Sequence, residues 1–217
     1  MAILFDFNGT MFLDEAFQEK SWRQFLKEKT GRAVTDEEFQ VYVHGRNNAV
    51  TLEHFLQRPL SHKELETLGE EKEVIYRKLC LESKAFHLTP GLETFLDGLK
   101  QEEIPINIAT ASGRKNVDFF FTHLKLDRWF DPDRVIYDDG TIPGKPAPDL
   151  YLRAAEKIGV PIGNCYVFED SRSGIEAAIR AGARGVIKVD PAGRPETRPE
   201  VLQVIADYDG LDPERFH

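Results

Sequence analysis

Residues 1–10 read Met1-Ala2-Ile3-Leu4-Phe5-Asp6-Phe7-Asn8-Gly9-Thr10, and this stretch decides the fold. Ala2 to Phe7 is a short apolar run broken only by Asp6, with no polar-apolar alternation. A continuous run of this kind marks a strand covered on both faces, the situation of a central strand in a parallel sheet. Gly9 then supplies a turn. Asp6, Asn8 and Thr10 fall at the carboxyl end of the strand, the end at which open parallel sheets bind their ligands.

Four further runs of the same type lie much later: Ile104 to Thr110, Val135 to Tyr137, Cys165 to Phe168 and Gly185 to Val189. Val204 to Ala206 adds a candidate short edge strand. Amphipathic stretches separate them, at Gly91 to Lys100, Lys115 to Leu124, Asp149 to Ile158 and Ser173 to Ala181. Alternating strand and helix predicts an α/β chain with a parallel sheet and helices on both faces. The segment from Asp14 to Ser83 breaks that rhythm. Phe17, Trp22, Phe25 and Leu26, then Val50, Leu52, Phe55 and Leu56, recur at helical spacing, and Leu65 to Leu81 is a long charged helical pattern. The expectation is a small helical domain over residues 14–83, inserted into a core of residues 1–13 and 84–217. Leu88-Thr89-Pro90-Gly91 marks the return to the core. The tail from Pro191 to His217, rich in Pro, Arg and Asp, is expected at the surface.

The chain has 217 residues and a formal net charge of -9. Such an acidic surface repels nucleic-acid phosphates and anionic membranes, so neither is an expected partner. It does nothing to attract an anionic substrate either, so local cations must do that work. Cys80 and Cys165 are too few for a disulfide framework or a zinc site. Reduced thiols, and with them a cytoplasmic location, are the expectation. The first residues carry neither a basic segment nor a long apolar stretch, so no signal peptide or membrane anchor is expected there. A monomer or weak dimer is the expected state.

Four strand ends carry the polar residues: Asp6, Asn8 and Thr10; Thr110, Ala111 and Ser112; Lys145 in Gly144-Lys145-Pro146-Ala147-Pro148-Asp149; and Glu169, Asp170 and Ser171. Asp6 and Asp170, with Glu169, offer hard oxygen ligands of the kind Mg²⁺ takes. A carboxylate beside such a cation can attack phosphorus, splitting one difficult displacement into two. Lys145 is a point charge able to neutralise phosphate and nucleophile. Thr110 can donate to a phosphoryl oxygen. Each feature alone has a bland reading: a strand-end Asp as a turn former, Lys145 as a solvated loop residue, Glu169-Asp170-Ser171 as a helix start. Their coincidence in this order favours phosphoryl transfer.

The segments DFNGT, ATAS, GKPAPD and EDSRSGIEAAIRAGA resemble the four motifs of the haloacid dehalogenase superfamily, and the likeness spans nearly the whole chain. The subgroup with a helical cap after the first motif, which includes β-phosphoglucomutase and sugar-phosphate phosphatases, is the most similar. The resemblance implies a Rossmann-like core and a cap that closes over the crevice. It further implies Asp6 as nucleophile and Thr110 with Ala111 and Ser112 around the phosphate. Lys145 becomes the lysine of the third motif. Mg²⁺ falls to Asp6, Glu169, Asp170 and the main-chain carbonyl of Asn8. The expected function is a Mg²⁺-dependent phosphatase of a small phosphorylated metabolite. A sugar phosphomutase and a weakly active phosphate-ligand binding protein stand as alternatives.

Two departures from the family pattern matter. Asn8 occupies the position where the family carries an Asp acting as general acid and base, and an amide can neither give nor take that proton. Gln18 stands roughly where a cap histidine is usual. His44-Gly45-Arg46-Asn47 resembles the cap's substrate loop, so Arg46 is a candidate to clamp a second anionic group.

Overall fold

β1 (Ala2–Phe5) is buried along its whole length, as a strand covered on both faces must be. The computed structural model describes residues 1–217. The chain divides into two compact units, Met1–Leu13 with His87–His217, and Asp14–Phe86. The second unit ends three residues beyond the expected boundary at Ser83, after a turn in which Phe86 N–H donates to Ser83 C=O.

In the first unit β1 lies at the centre of a six-stranded sheet. Its partners are β2 (Ile106–Gly113), β3 (Ile136–Asp138), β4 (Cys165–Glu169), β5 (Gly185–Val189) and β6 (Val201–Ile205). Every pairing is parallel and the order is β3-β2-β1-β4-β5-β6. This is the doubly wound Rossmann order, in which the chain winds outward in both directions from the centre. The reversal falls between β1 and β4, so the crevice of the sheet opens where Asp6 and Glu169-Asp170 emerge. Strand β2 runs three residues past the expected Thr110, and β6 starts three residues earlier than its expected Val204.

One face of the sheet packs Ala2, Leu4, Ala109 and Val167 against Leu150, Tyr151 and Ala154 of α7 (Asp149–Lys157) and Ile175 and Ala178 of α8 (Arg172–Ala181). The other face is aromatic. Phe5 stacks on Phe168 at 5.1 Å, and both meet Phe95 of α5 (Leu92–Gln101). Tyr208 and Phe216 complete this cluster, at 1% and 5% exposure. The tail is therefore not purely surface, contrary to the expectation from its composition. Two isolated aromatics among polar residues give no periodicity to read, yet each closes the core. The remaining core helix, α6 (Arg114–Leu124), turns Val117 and Phe120 inward, with Phe7 stacked on Phe120 at 4.2 Å.

The second unit is all helix: α1 (Glu15–Thr30), α2 (Asp36–Tyr42), α3 (Asn48–Leu56) and α4 (His62–Leu81). Thr35 with Glu38 and Ser61 with Glu64 form capping boxes that start α2 and α4, satisfying otherwise orphaned backbone donors. Trp22, Phe25, Leu26, Phe39, Leu52 and Phe55 give this unit a core of its own. Beneath it Asp14 accepts hydrogen bonds from Gln18 Nε2 (2.9 Å) and Tyr76 Oη (2.8 Å), and the buried Lys72 ammonium donates to Gln18 and Glu73. No helix of the chain is long and apolar enough to cross a membrane.

Candidate active site

The loop after β1 is a tight turn. Phe7 C=O accepts from the N–H groups of Met11 and Phe12, and Gly9 N–H donates to Phe12 C=O at 2.7 Å. Gly9 has φ of +78°, and a Cβ there would sit 2.2 Å from Asp170 Oδ2. Only glycine meets both demands: the left-handed backbone and the close approach of the Asp170 carboxylate. The returning chain fastens the same loop, since Thr89 donates from Oγ1 to Thr10 C=O and from its N–H to Met11 C=O, each at 2.9 Å.

Lys145 joins the strand ends. Its Nζ lies 2.5 Å from Asp6 Oδ1 and 2.7 Å from Glu169 Oε1, and all three side chains are nearly excluded from solvent. Burial by itself would depress the lysine pKa. The adjacent Asp6 and Glu169 carboxylates outweigh it and hold the ammonium well above its ordinary value. Glu169 is fully engaged. Its Oε1 accepts from Lys145 and from Tyr151 Oη at 3.2 Å, and its Oε2 accepts from Ser171 N–H and Oγ. Gly174, in the first turn of α8, leaves room for that carboxyl; a Cβ there would fall 1.6 Å from Glu169 Oε1.

Asp170 lacks a matching cation. Burial, together with the negative Glu169 and Asp6, pushes its carboxyl up to about 9, with only partial relief from Lys145. Thr10 Oγ1 donates to it over 3.4 Å. Carboxylate oxygens of Asp6, Glu169 and Asp170 lie within 4.8 Å of one another. Three carboxylates around a single ammonium leave two negative charges unbalanced. That surplus, on hard oxygen donors, fits a small divalent cation.

At the end of β2, the buried Thr110 Oγ1 accepts from Ser112 N–H at 3.1 Å, and Ser112 Oγ donates to Asn8 Oδ1 at 2.7 Å. Ala111 beside them is exposed. Asp6, Asn8, Ser112, Lys145, Glu169 and Asp170 are thus linked in one place, with Thr110 adjoining. Arg46 belongs to the helical unit, exposed in the loop between α2 and α3, and its Nε donates to Val41 C=O. Tyr151 and the two glycines were not among the sequence-derived candidates. A Tyr two residues into a helix reads as core, whereas Gly174 was detectable, because glycine in a first helical turn is disfavoured without a steric reason.

A carboxylate-lysine cluster at the reversal point of a doubly wound sheet, opposite a short Thr-Ala-Ser segment, defines a hydrolase of the phosphoryl-transfer type in architecture. The family model for haloacid dehalogenase-like hydrolase matches residues 1–182, and the chain belongs to that family. A crystal structure of a HAD hydrolase, family IA, variant 3, from Entamoeba histolytica HM-1:IMSS superposes with a TM-score of 0.91 at 35% identity, covering 99% of this chain and 96% of that one. The β-phosphoglucomutase of Clostridium difficile superposes with a TM-score of 0.78 at 25% identity, covering 99% and 94%. A Drosophila melanogaster protein named "Probable pseudouridine-5'-phosphatase" is 37% identical over 134 residues, a match spanning 59% of this chain and 58% of that protein. The chain is therefore an enzyme of the HAD-like hydrolases, with relatives named for phosphatase and phosphomutase activity.

Proposed function

We propose that this enzyme is a Mg²⁺-dependent phosphatase of a small phosphorylated metabolite, working through a phosphoryl group carried on Asp6. The observation that carries the reading is the Asp6 carboxylate, buried at the sheet's reversal point and held 2.5 Å from the Lys145 ammonium. In this reading a carboxylate oxygen of Asp6 is the nucleophile. Its attack on phosphorus breaks the bond to the leaving oxygen and gives an aspartyl-phosphate; water then cleaves that anhydride and frees phosphate.

Asp6, Asp170 and the Asn8 carbonyl would hold Mg²⁺, with Glu169 completing the carboxylate cluster while steering Lys145. When bound, Mg²⁺ offsets charge on the phosphoryl group and screens it from the attacking carboxylate. Thr110, with Ala111 and Ser112 beside it, is assigned to the phosphoryl oxygens. Ser112 also fixes the Asn8 amide by donating to its Oδ1. Arg46 is assigned to a second anionic group of the substrate.

Asn8 supports a narrower substrate preference. It provides no proton for a departing alkoxide, so esters whose leaving group departs as a stable anion should turn over fastest. The same residue favours a second reading, a ligand-binding site with little turnover. A panel of sugar phosphates, nucleotides, acyl phosphates and p-nitrophenyl phosphate, assayed with and without Mg²⁺, separates the two. Phosphate release that needs Mg²⁺ supports the phosphatase; binding without release supports the second reading; isomerised sugar phosphate without release indicates mutase activity.

A further inference from the structure

Tyr208 comes from the segment after β6, which carries none of the four motifs. Its ring is 1% exposed and stacks on Phe168 at 5.5 Å, with Phe5 at 6.4 Å and Phe95 at 5.8 Å. Phe5 immediately precedes Asp6, and Phe168 immediately precedes Glu169 and Asp170. The backbone is held as firmly as the ring. Tyr208 N–H donates to Pro90 C=O at 2.9 Å, and Gly91 lies so close that a Cβ there would be 2.4 Å from the Tyr208 carbonyl carbon.

The Tyr208 hydroxyl is a buried side-chain polar atom with no hydrogen-bond partner in the protein, and no other side chain shares that condition. Buried polar groups in native proteins are almost always paired, because an unpaired one forfeits its hydration without return. A phenylalanine would pack on the same three rings without that cost. The charges acting on the hydroxyl are Asp6 and Asp170, which add to burial in raising its pKa. The hydroxyl is within electrostatic range of the carboxylate pair, its ring packs on the two phenylalanines that directly precede those carboxylates in sequence, and no protein group pairs with it.

We propose that Tyr208 is a positioning residue of the cation site, its hydroxyl oxygen accepting a hydrogen bond from the hydration shell of a divalent cation held by Asp6 and Asp170. The inference rests on the Mg²⁺ reading given above. Mg²⁺ retains several of its waters when protein carboxylates bind it, and those waters are strong donors that need acceptors. Outer-shell partners of this kind commonly govern metal affinity by about 10–100-fold.

The test compares the parent protein with Tyr208→Phe, using MgCl₂ alone as the probe, by calorimetric titration and by thermal melting with and without Mg²⁺. The expected result has two parts. Without Mg²⁺ the variant melts no lower than the parent, because the lost hydroxyl had no protein partner. Its Mg²⁺ affinity falls by about tenfold, and the Mg²⁺-induced rise in melting temperature shrinks accordingly. A purely structural tyrosine would give the opposite pattern, and either half overturns the proposal: lower stability without Mg²⁺, or unchanged Mg²⁺ affinity. If the parent itself binds no Mg²⁺, the functional reading fails together with this one. If the parent binds and the variant binds equally, this inference alone fails.

Discussion

Asp6, Glu169 and Asp170 share one ammonium, and that imbalance sets what each residue does. Lys145 pairs with the first two at 2.5 and 2.7 Å, which leaves Asp170 as the carboxyl in need of a cation. Glu169 cannot be displaced without releasing Lys145, so the space Gly174 leaves for it is a functional requirement. Gly174→Ala places a methyl carbon inside the Glu169 carboxyl and should reduce kcat/KM by at least about tenfold. Steady-state kinetics beside a circular dichroism spectrum check this; full activity in a folded variant would contradict the placement of Glu169. Asn8→Asp restores a group able to exchange protons next to the leaving oxygen. Turnover of alkyl phosphates should rise by about 10- to 1,000-fold, while p-nitrophenyl phosphate, which departs unaided, should change little. Equal effects on both substrates would show that proton transfer is not what Asn8 withholds. Asp6, Lys145 and Asp170 were legible in the sequence because each ends or follows a strand run. Tyr151 and Tyr208 were not, since a buried tyrosine is indistinguishable from core until its hydroxyl can be located.

The same division holds for elements. β1, β4 and β5 were plain in the sequence because continuous apolar runs have few other uses. β6 was foreseen only in part, since Val201–Ile205 is half-exposed at the sheet edge and its pattern is weak. The tail's composition conceals its role in the core, because Phe216 sits alone among charged residues, yet it packs on Phe95, Tyr166 and Phe168. Phe216→Ala should therefore destabilise the protein by about 3 kcal/mol, measured by urea unfolding; a loss below about 0.5 kcal/mol would fit a surface residue instead. At the end of β5, Asp190 is 1% exposed and accepts from Lys188 Nζ (3.0 Å), Arg194 Nε (2.9 Å) and Ala192 N–H. Burial alone would raise its pKa, but these donors hold it at about 2. A carboxyl depressed in the fold contributes stability above its unfolded pKa near 4 and loses it as pH falls toward 2. Asp190→Asn should cost about 2 kcal/mol at pH 7 and flatten the decline between pH 4 and 2. An acid-unfolding profile that keeps its slope in the variant would remove Asp190 from the account.

For the whole molecule, a net charge of -9 and an anionic substrate are in conflict unless local cations offset the carboxylates of the site. Lys145 supplies one positive charge, and a divalent cation at Asp6 and Asp170 would supply two more. The doubly wound order places these groups at the only point where neighbouring strands depart in opposite directions, so fold and chemistry have the same centre. The α/β architecture and the inserted helical segment were legible from periodicity alone. The substrate was not, because loop sequences obey no packing period and a fold does not by itself name its ligand. The most direct test of the central claim is rapid acid quench of the enzyme during Mg²⁺-supported turnover of p-nitrophenyl phosphate, followed by peptide mass spectrometry. Phosphate should appear on the peptide carrying Asp6, be released by hydroxylamine as an acyl phosphate is, and vanish in Asp6→Asn together with turnover. Phosphate release that proceeds with Asp6 never modified, or that survives Asp6→Asn, would contradict the account.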